Sequence, residues 1–179
     1  MLHYQIEFDD YRQHLAHVTL RFVAEPTQVL SLPTWIPGSY LIREFAKHLE
    51  SVRAYDEEGR LLEIEKFEKN KWRLFNTDYE LITVEYDVYA YDLSVRGAYV
   101  DQTRLYINPA CACLGLDGQE HKAIEVEIFL PPELKHFQLA TGLKSRSLVK
   151  GRFTLEADNY VQLIDSPFEL AEQTRFSFD

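Results

Sequence analysis

The sequence predicts an all-β protein, an antiparallel β-sandwich carrying one or two short helices. Three observations predict it. Apolar and polar residues alternate with period two along most of the chain, turn-forming residues break that alternation at strand-sized intervals, and a single segment has helical spacing. One core face and one wet face per strand is the mark of antiparallel sheets.

Taken in order, the first strand is predicted around Tyr4, Ile6 and Phe8. The second runs from His14 to Ala24, with Ala16, Val18, Leu20 and Phe22 on one face and Thr19 and Arg21 on the other. Short strands are predicted at Val29–Leu32, Val52–Ala54, Leu62–Ile64 and Trp72–Leu74. Asp56-Glu57-Glu58-Gly59 supplies a four-residue hairpin loop, and Asn70-Lys71 a second turn. From Glu80 to Ala90 the inward face is Ile82, Val84, Tyr86 and Val88. Leu105–Ile107 follows, then Ile124, Val126, Ile128 and Leu130, a strand ended by Pro131-Pro132. Phe153–Ala157 and Val161–Leu163 read as late strands joined at Asp158-Asn159. Between Ser39 and Leu49 the residues Leu41, Phe45 and Leu49 share one helical side, with Ser39 as a possible N-cap. No internal repeat, low-complexity tract or Gly/Ser linker divides the chain.

A length of 179 residues fits one domain, residues 1–179, able to bury a self-sufficient core. Hydrophobic residues make up 46%, which excludes a disordered or fibrous chain. The formal charge of −10, with no basic stripe, argues against nucleic acid as a partner. No apolar run approaches the ~20 residues that span a bilayer. Residues 1–7 lack the basic and apolar regions of a secretory leader. A cytoplasmic location and no membrane partner are the expectations. Cys111 and Cys113, one residue apart, are expected to be reduced thiols in a loop or short strand.

The ionisable residues do not assemble an active site. His14 and His17 point to opposite faces of a strand and cannot share a metal, and the other histidines are scattered. Gly-rich phosphate loops, nucleophile elbows and Cys–His constellations are absent from the sequence. Neither a catalytic residue nor a metal ligand is expected in this chain. Two clusters carry more polar chemistry than a core needs. The first follows a stiff turn formed by Trp35, Pro37 and Gly38, in which Gly38 is expected at positive φ, and consists of Tyr40, Arg43 and Glu44. The second is Asp92-Leu93-Ser94-Val95-Arg96 with Tyr99, where Asp92 and Ser94 are suited to capping a turn and Arg96 to holding a carboxylate. Each cluster reads either as an internal clamp that stiffens a loop or as a surface meeting another domain or a peptide.

The run Trp35-Ile36-Pro37-Gly38-Ser39-Tyr40-Leu41-Ile42-Arg43-Glu44-Phe45-Ala46 resembles a signature near the start of glycyl aminopeptidase-type zinc metallopeptidases, peptidase family 61. Ala54–Gly59, Lys69–Trp72, Tyr86–Tyr99, Asn108, Pro131, Asp158–Tyr160 and Leu163–Pro167 are similar to later landmarks of that family's N-terminal domain, in order and over nearly the whole chain. The resemblance implies a longer hydrolase, a metallo-aminopeptidase preferring N-terminal Gly or Ala. In it this domain precedes a thermolysin-like zinc domain and often a PDZ domain. Zinc would belong to that parent protein, because its His-Glu-x-x-His motif does not occur in these residues. The implied partners are the protein's own catalytic domain and, through it, peptide substrates. The strand-like alternation up to Asp179, without a tapering tail, reads as a longer protein cut short, and the exposed surface is then expected to favour dimer contacts. A free-standing module binding peptides or carbohydrates on exposed aromatic faces is the alternative.

Overall fold

The computed structural model describes residues 1–36, 40–76, 78–174 and 176. The expected Pro37-Gly38 turn, the φ of Gly38 and the Ser39 cap lie outside these residues.

The described residues form sixteen strands: β1 Leu2–Glu7, β2 Leu15–Ala24, β3 Val29–Ser31, β4 Leu49–Tyr55, β5 Leu61–Leu62, β6 Ile64–Glu68, β7 Lys71–Leu74, β8 Glu80–Tyr89, β9 Ala98–Val100, β10 Arg104–Ile107, β11 Gly115–Leu116, β12 Ile124–Phe129, β13 Gln138–Thr141, β14 Lys144–Val149, β15 Arg152–Ala157 and β16 Phe168–Ala171. An eight-stranded sheet has the order β14-β15-β12-β1-β2-β8-β4-β5. Two four-stranded sheets have the orders β13-β16-β10-β9 and β11-β3-β7-β6. All three contribute to one apolar core, among them Tyr4, Leu20 and Tyr86 from the large sheet, Leu30, Trp72 and Leu74 from one small sheet, and Leu105 and Leu170 from the other. The alternation places these residues: Ala16, Val18, Leu20 and Phe22 are buried on β2, and Ile82, Val84, Tyr86 and Val88 on β8, across a ten-pair antiparallel register.

The sequence reading departs from the structure in three places. The sheets are antiparallel except where β1 pairs β12 in parallel, from Leu2 opposite Ile124 to Glu7 opposite Phe129. These strands are far apart in sequence, and alternation on each strand says nothing about direction.

The helix expected over Ser39–Leu49 reduces to a 3-10 helix at Phe45–His48. The backbone N–H of Arg43 donates to the carbonyl of Thr34 at 2.7 Å, where an α-helix would direct it to residue 39. Leu41 consequently lies exposed, while Phe45 and Leu49 are buried.

The strand expected at Val161–Leu163 is the helix α1, Tyr160–Ile164. Asn159 caps it, its side chain accepting from the backbone of Gln162 at 2.9 Å, and Tyr160 and Leu163 share the buried side.

The predicted punctuation is present elsewhere. In the β4–β5 hairpin Gly59 has φ 79°, and the Asp56 carboxylate accepts from the backbone N–H of Arg60 at 2.8 Å and its Nε at 2.6 Å. The turn expected at Asn70-Lys71 falls one residue earlier, at Lys69-Asn70, with Lys71 opening β7, and Pro131-Pro132 ends β12.

Candidate functional site

The first candidate segment leaves β3 and returns to β4. Ile36 is buried, whereas Trp35, Tyr40, Leu41 and Ile42 are exposed, Tyr40 fully. Two large aliphatic side chains and a tyrosine, exposed in a row, form an apolar crest. Behind the crest, Arg43 and Glu44 turn toward the β6–β7 hairpin. Lys69 Nζ donates to Glu44 Oε1 at 2.9 Å, which lowers the Glu44 carboxyl and raises Lys69. Arg43 and Glu44 line a groove of about 650 Å³ together with Ile42, Lys47, Phe67 and Lys69.

The second segment is the loop between β8 and β9. Asp92 Oδ1 accepts from the backbone N–H of Ser94 at 2.9 Å, an Asx turn, and the Gly97 N–H donates to the Ser94 carbonyl at 3.1 Å. Gly97 is required here, because a Cβ at that position would sit 2.7 Å from the Asp92 carboxyl carbon. β10 holds the loop from beneath: the Tyr106 hydroxyl and Asn108 Nδ2 both donate to the Val95 carbonyl, at 2.7 and 3.3 Å. Arg96 emerges above this anchored turn and lines a cleft of about 360 Å³ with Ile36, Val95, Val161 and Ile164. The Tyr99 hydroxyl donates to Asp101 Oδ2 at 2.9 Å, a bond that raises the Tyr99 hydroxyl, and the Tyr99 ring stacks on Tyr91 at 5.4 Å.

The fold brings the two segments side by side. Ile36 of the first meets Val95 and Arg96 of the second in one cleft, and Phe45 and His48 meet Asp92 and Gly97 in another. Burial holds His48 below the usual imidazole value, Lys47 lowers it further, and Asp92 acts in the opposite sense. Glu44 is held by Lys69, Asp92 caps its own turn and Tyr99 binds Asp101.

An aromatic row that period-two alternation does not mark lies beside the second segment. His14 stands at φ 62° before β2, and its Nδ1 lies 2.7 Å from the Val100 carbonyl. The same ring packs 4.0 Å from Tyr91, with Tyr89 edge-on at 6.4 Å. Tyr89, the last residue of β8, and Tyr91 just beyond it carry the signal in the sequence. Among the described residues no group of three or more His, Cys, Asp or Glu side chains is placed to hold a metal. Cys111 and Cys113 are free but buried, and burial pushes the Cys111 thiol up to about 12 and the Cys113 thiol higher still. These residues therefore do not fit a zinc site.

The family profile of the peptidase M61 N-terminal domain matches residues 3–172, and the chain belongs to that family. Among solved structures, an aminopeptidase N family protein from Idiomarina loihiensis is 38% identical, with a TM-score of 0.88, over 96% of this chain and 29% of its own. The native leukotriene A4 hydrolase of Saccharomyces cerevisiae shares the fold, at a TM-score of 0.52 and 9% identity over 94% of this chain and 28% of its own. The chain thus spans under a third of the length of these two proteins. No curated protein matches it significantly.

Proposed function

We propose that this domain supports the catalytic domain of a zinc aminopeptidase and shapes one wall of its substrate cleft, with no catalytic group of its own. The observation that carries this reading is the juxtaposition of the two segments, Ile36 against Val95 and Arg96 and Phe45 and His48 against Asp92 and Gly97, with Tyr40, Leu41, Ile42, Leu93 and Val95 exposed along them. Five large side chains on adjacent loops at one end of a β domain are suited to burial against a second domain. The match to a protein more than three times as long supports such a second domain. Zinc would be held by a His-Glu-x-x-His helix in the remainder of the protein, where it would activate water. A preference for N-terminal Gly or Ala, a following PDZ domain and a cytoplasmic location belong to the same reading. No described helix is long and apolar enough to cross a membrane.

Hydrogen exchange tests the interface. In the longer protein the amides of residues 40–44 and 92–96 are expected to exchange at least tenfold more slowly than in residues 1–179 alone. Equal exchange in both would overturn the interdomain role. The exposed faces of Tyr89 and Tyr91 favour a second reading, a free-standing module that stacks sugars or peptide side chains. A reading frame that stops near Asp179 supports that module. One that continues into His-Glu-x-x-His supports the peptidase.

A further inference from the structure

The groove behind the crest has a charge that the chain as a whole does not. On a protein of net charge −10, Arg43, Lys47, Lys66 and Lys69 line it against the two carboxylates of Glu44 and Glu68. Glu44 is neutralised by Lys69 at 2.9 Å. Lys66 is held over the Trp72 ring, 4.7 Å from its centroid, with its Nζ on the Ala46 carbonyl at 3.3 Å. Arg43 is different. Its Nε is buried and has no hydrogen-bond partner among the described residues. A guanidinium cannot escape burial by losing its proton, so a buried N–H without an acceptor is costly. Arg104 gives the contrast within the same molecule. Its Nε is likewise buried, but Glu169 lies 3.0 Å away.

We propose that the groove is a binding site for a carboxylate ligand, received by the guanidinium of Arg43. The planar fork of arginine matches the two oxygens of a carboxylate, and Lys47 at the rim adds attraction. Ile42 and Phe67 line the same groove, so the ligand presents its carboxylate on an apolar stem. A peptide C-terminus and an acidic side chain of a neighbouring segment both have this chemistry. The inference rests on the groove and is tested on residues 1–179 alone, so it fails or survives separately from the interdomain role.

The test is an NMR titration of the ¹⁵N-labelled protein, following the arginine Nε–H resonances, with Arg43 assigned by its loss in Arg43→Gln. The probes are Gly-Leu-Phe with a free C-terminus, the same peptide as its amide, and Gly-Glu-Leu-amide. The free acid is expected to shift the Arg43 signal saturably. Arg43→Gln is expected to weaken its binding at least tenfold, and Arg43→Lys, which keeps the charge and loses the fork, at least threefold. Binding of Gly-Glu-Leu-amide alone among the probes assigns an acidic side chain, binding of the free acid alone a peptide C-terminus, and either result sustains the carboxylate site. The proposal is overturned if no carboxylate probe shifts Arg43, if the neutral amide binds equally well, or if Arg43→Lys binds as tightly as the parent. Should Arg43→Gln fail to fold, Arg43→Lys decides.

Discussion

The hydroxyl of Tyr160 on α1 donates to the carbonyl of Cys113 at 2.8 Å, across 47 positions of sequence. It is one of three such bonds to a single buried stretch. Tyr4 donates to the Leu114 carbonyl at 2.7 Å, while Tyr86 donates to the Ala112 carbonyl at 2.9 Å and accepts from the Leu114 N–H at 3.1 Å. Residues 112–114 are fully buried yet form no strand, so their peptide groups need partners that a sheet does not provide. Three tyrosines supply them for the three carbonyls and the Leu114 N–H, while the Ala112 and Cys113 N–H groups donate to the Pro109 carbonyl, and this ties β1, β8 and α1 to the loop entering β11. Burial raises all three hydroxyls well above their ordinary value, so they stay neutral donors.

Removing one hydroxyl leaves a buried carbonyl unpaired. Tyr160→Phe is expected to destabilise the protein by about 1–3 kcal/mol. At about 2–4 °C per kcal/mol for a chain of this size, the loss is readable by scanning calorimetry. An unchanged melting temperature would mean that the Cys113 carbonyl has another partner.

Gly115 shows the same packing from the other side. A Cβ there would lie 2.7 Å from Cε1 and Cζ of Tyr160, closer than packed carbons tolerate. Gly115→Ala is expected to cost about 1–3 kcal/mol by overpacking. Because both substitutions act on one contact, Gly115→Ala combined with Tyr160→Ala should cost less than the two single losses added together. Strict additivity in chemical denaturation would refute the contact.

Cys111 and Cys113 should be inert in the folded protein. With the Cys111 thiol near 12 and both side chains buried, thiolate at pH 8 is scarce and out of reach. Iodoacetamide labelling followed by mass spectrometry is expected to modify neither residue natively and both in guanidinium. Rapid native labelling of either would place it at the surface.

Much of the fold was legible because burial on one face forces period-two alternation, as on β2 and β8. Strand direction was not legible, and the parallel β1–β12 pair shows why: a strand's hydrophobic face is the same whichever way its neighbour runs. Two points on a short segment do not separate a strand from a helix, so the Asn159 cap was the stronger signal at Val161–Leu163. Of the candidate site, the Asp92–Ser94 turn was readable from local side-chain chemistry. The Lys69–Glu44 pair and the His14–Tyr91 contact join positions 25 and 77 residues apart, which no local pattern encodes.

Acid should weaken the fold in two stages. Burial lowers His48, so its contribution is complete above its unfolded value of ~6.5 and is lost as pH falls through the lower folded value. For Asp101, burial acts to raise the carboxyl, but bonds from Thr103, Arg104 and Tyr99 outweigh it and lower it. That stability is present above ~3.9 and is lost as pH falls through the folded value beneath it. Melting temperature is thus expected to fall from pH 7 toward 5 and again below pH 4. Asp101→Asn should be destabilising at pH 7 and nearly silent at pH 2. A melting temperature that rises on acidification would contradict both assignments.

The interdomain role makes its sharpest prediction at Arg96. The turn beneath it is held by Tyr106, Asn108 and the Asp92 cap, bonds that go to the backbone of residues 94 and 95 and do not involve the Arg96 side chain. Those three bonds remain available in Arg96→Ala. In the longer protein, Arg96→Ala is expected to lower kcat/KM for a glycyl substrate about tenfold, roughly 1.4 kcal/mol of transition-state stabilisation, while shifting the melting temperature by less than about 2 °C. Tyr106→Phe, which releases the Val95 carbonyl, should do the reverse, costing about 1 kcal/mol of stability before it costs activity. The split between the two variants separates a side chain that faces a second domain from one that merely stiffens its own loop. If Arg96→Ala unfolds the protein, or leaves both quantities unchanged, the internal clamp is the correct reading of this segment.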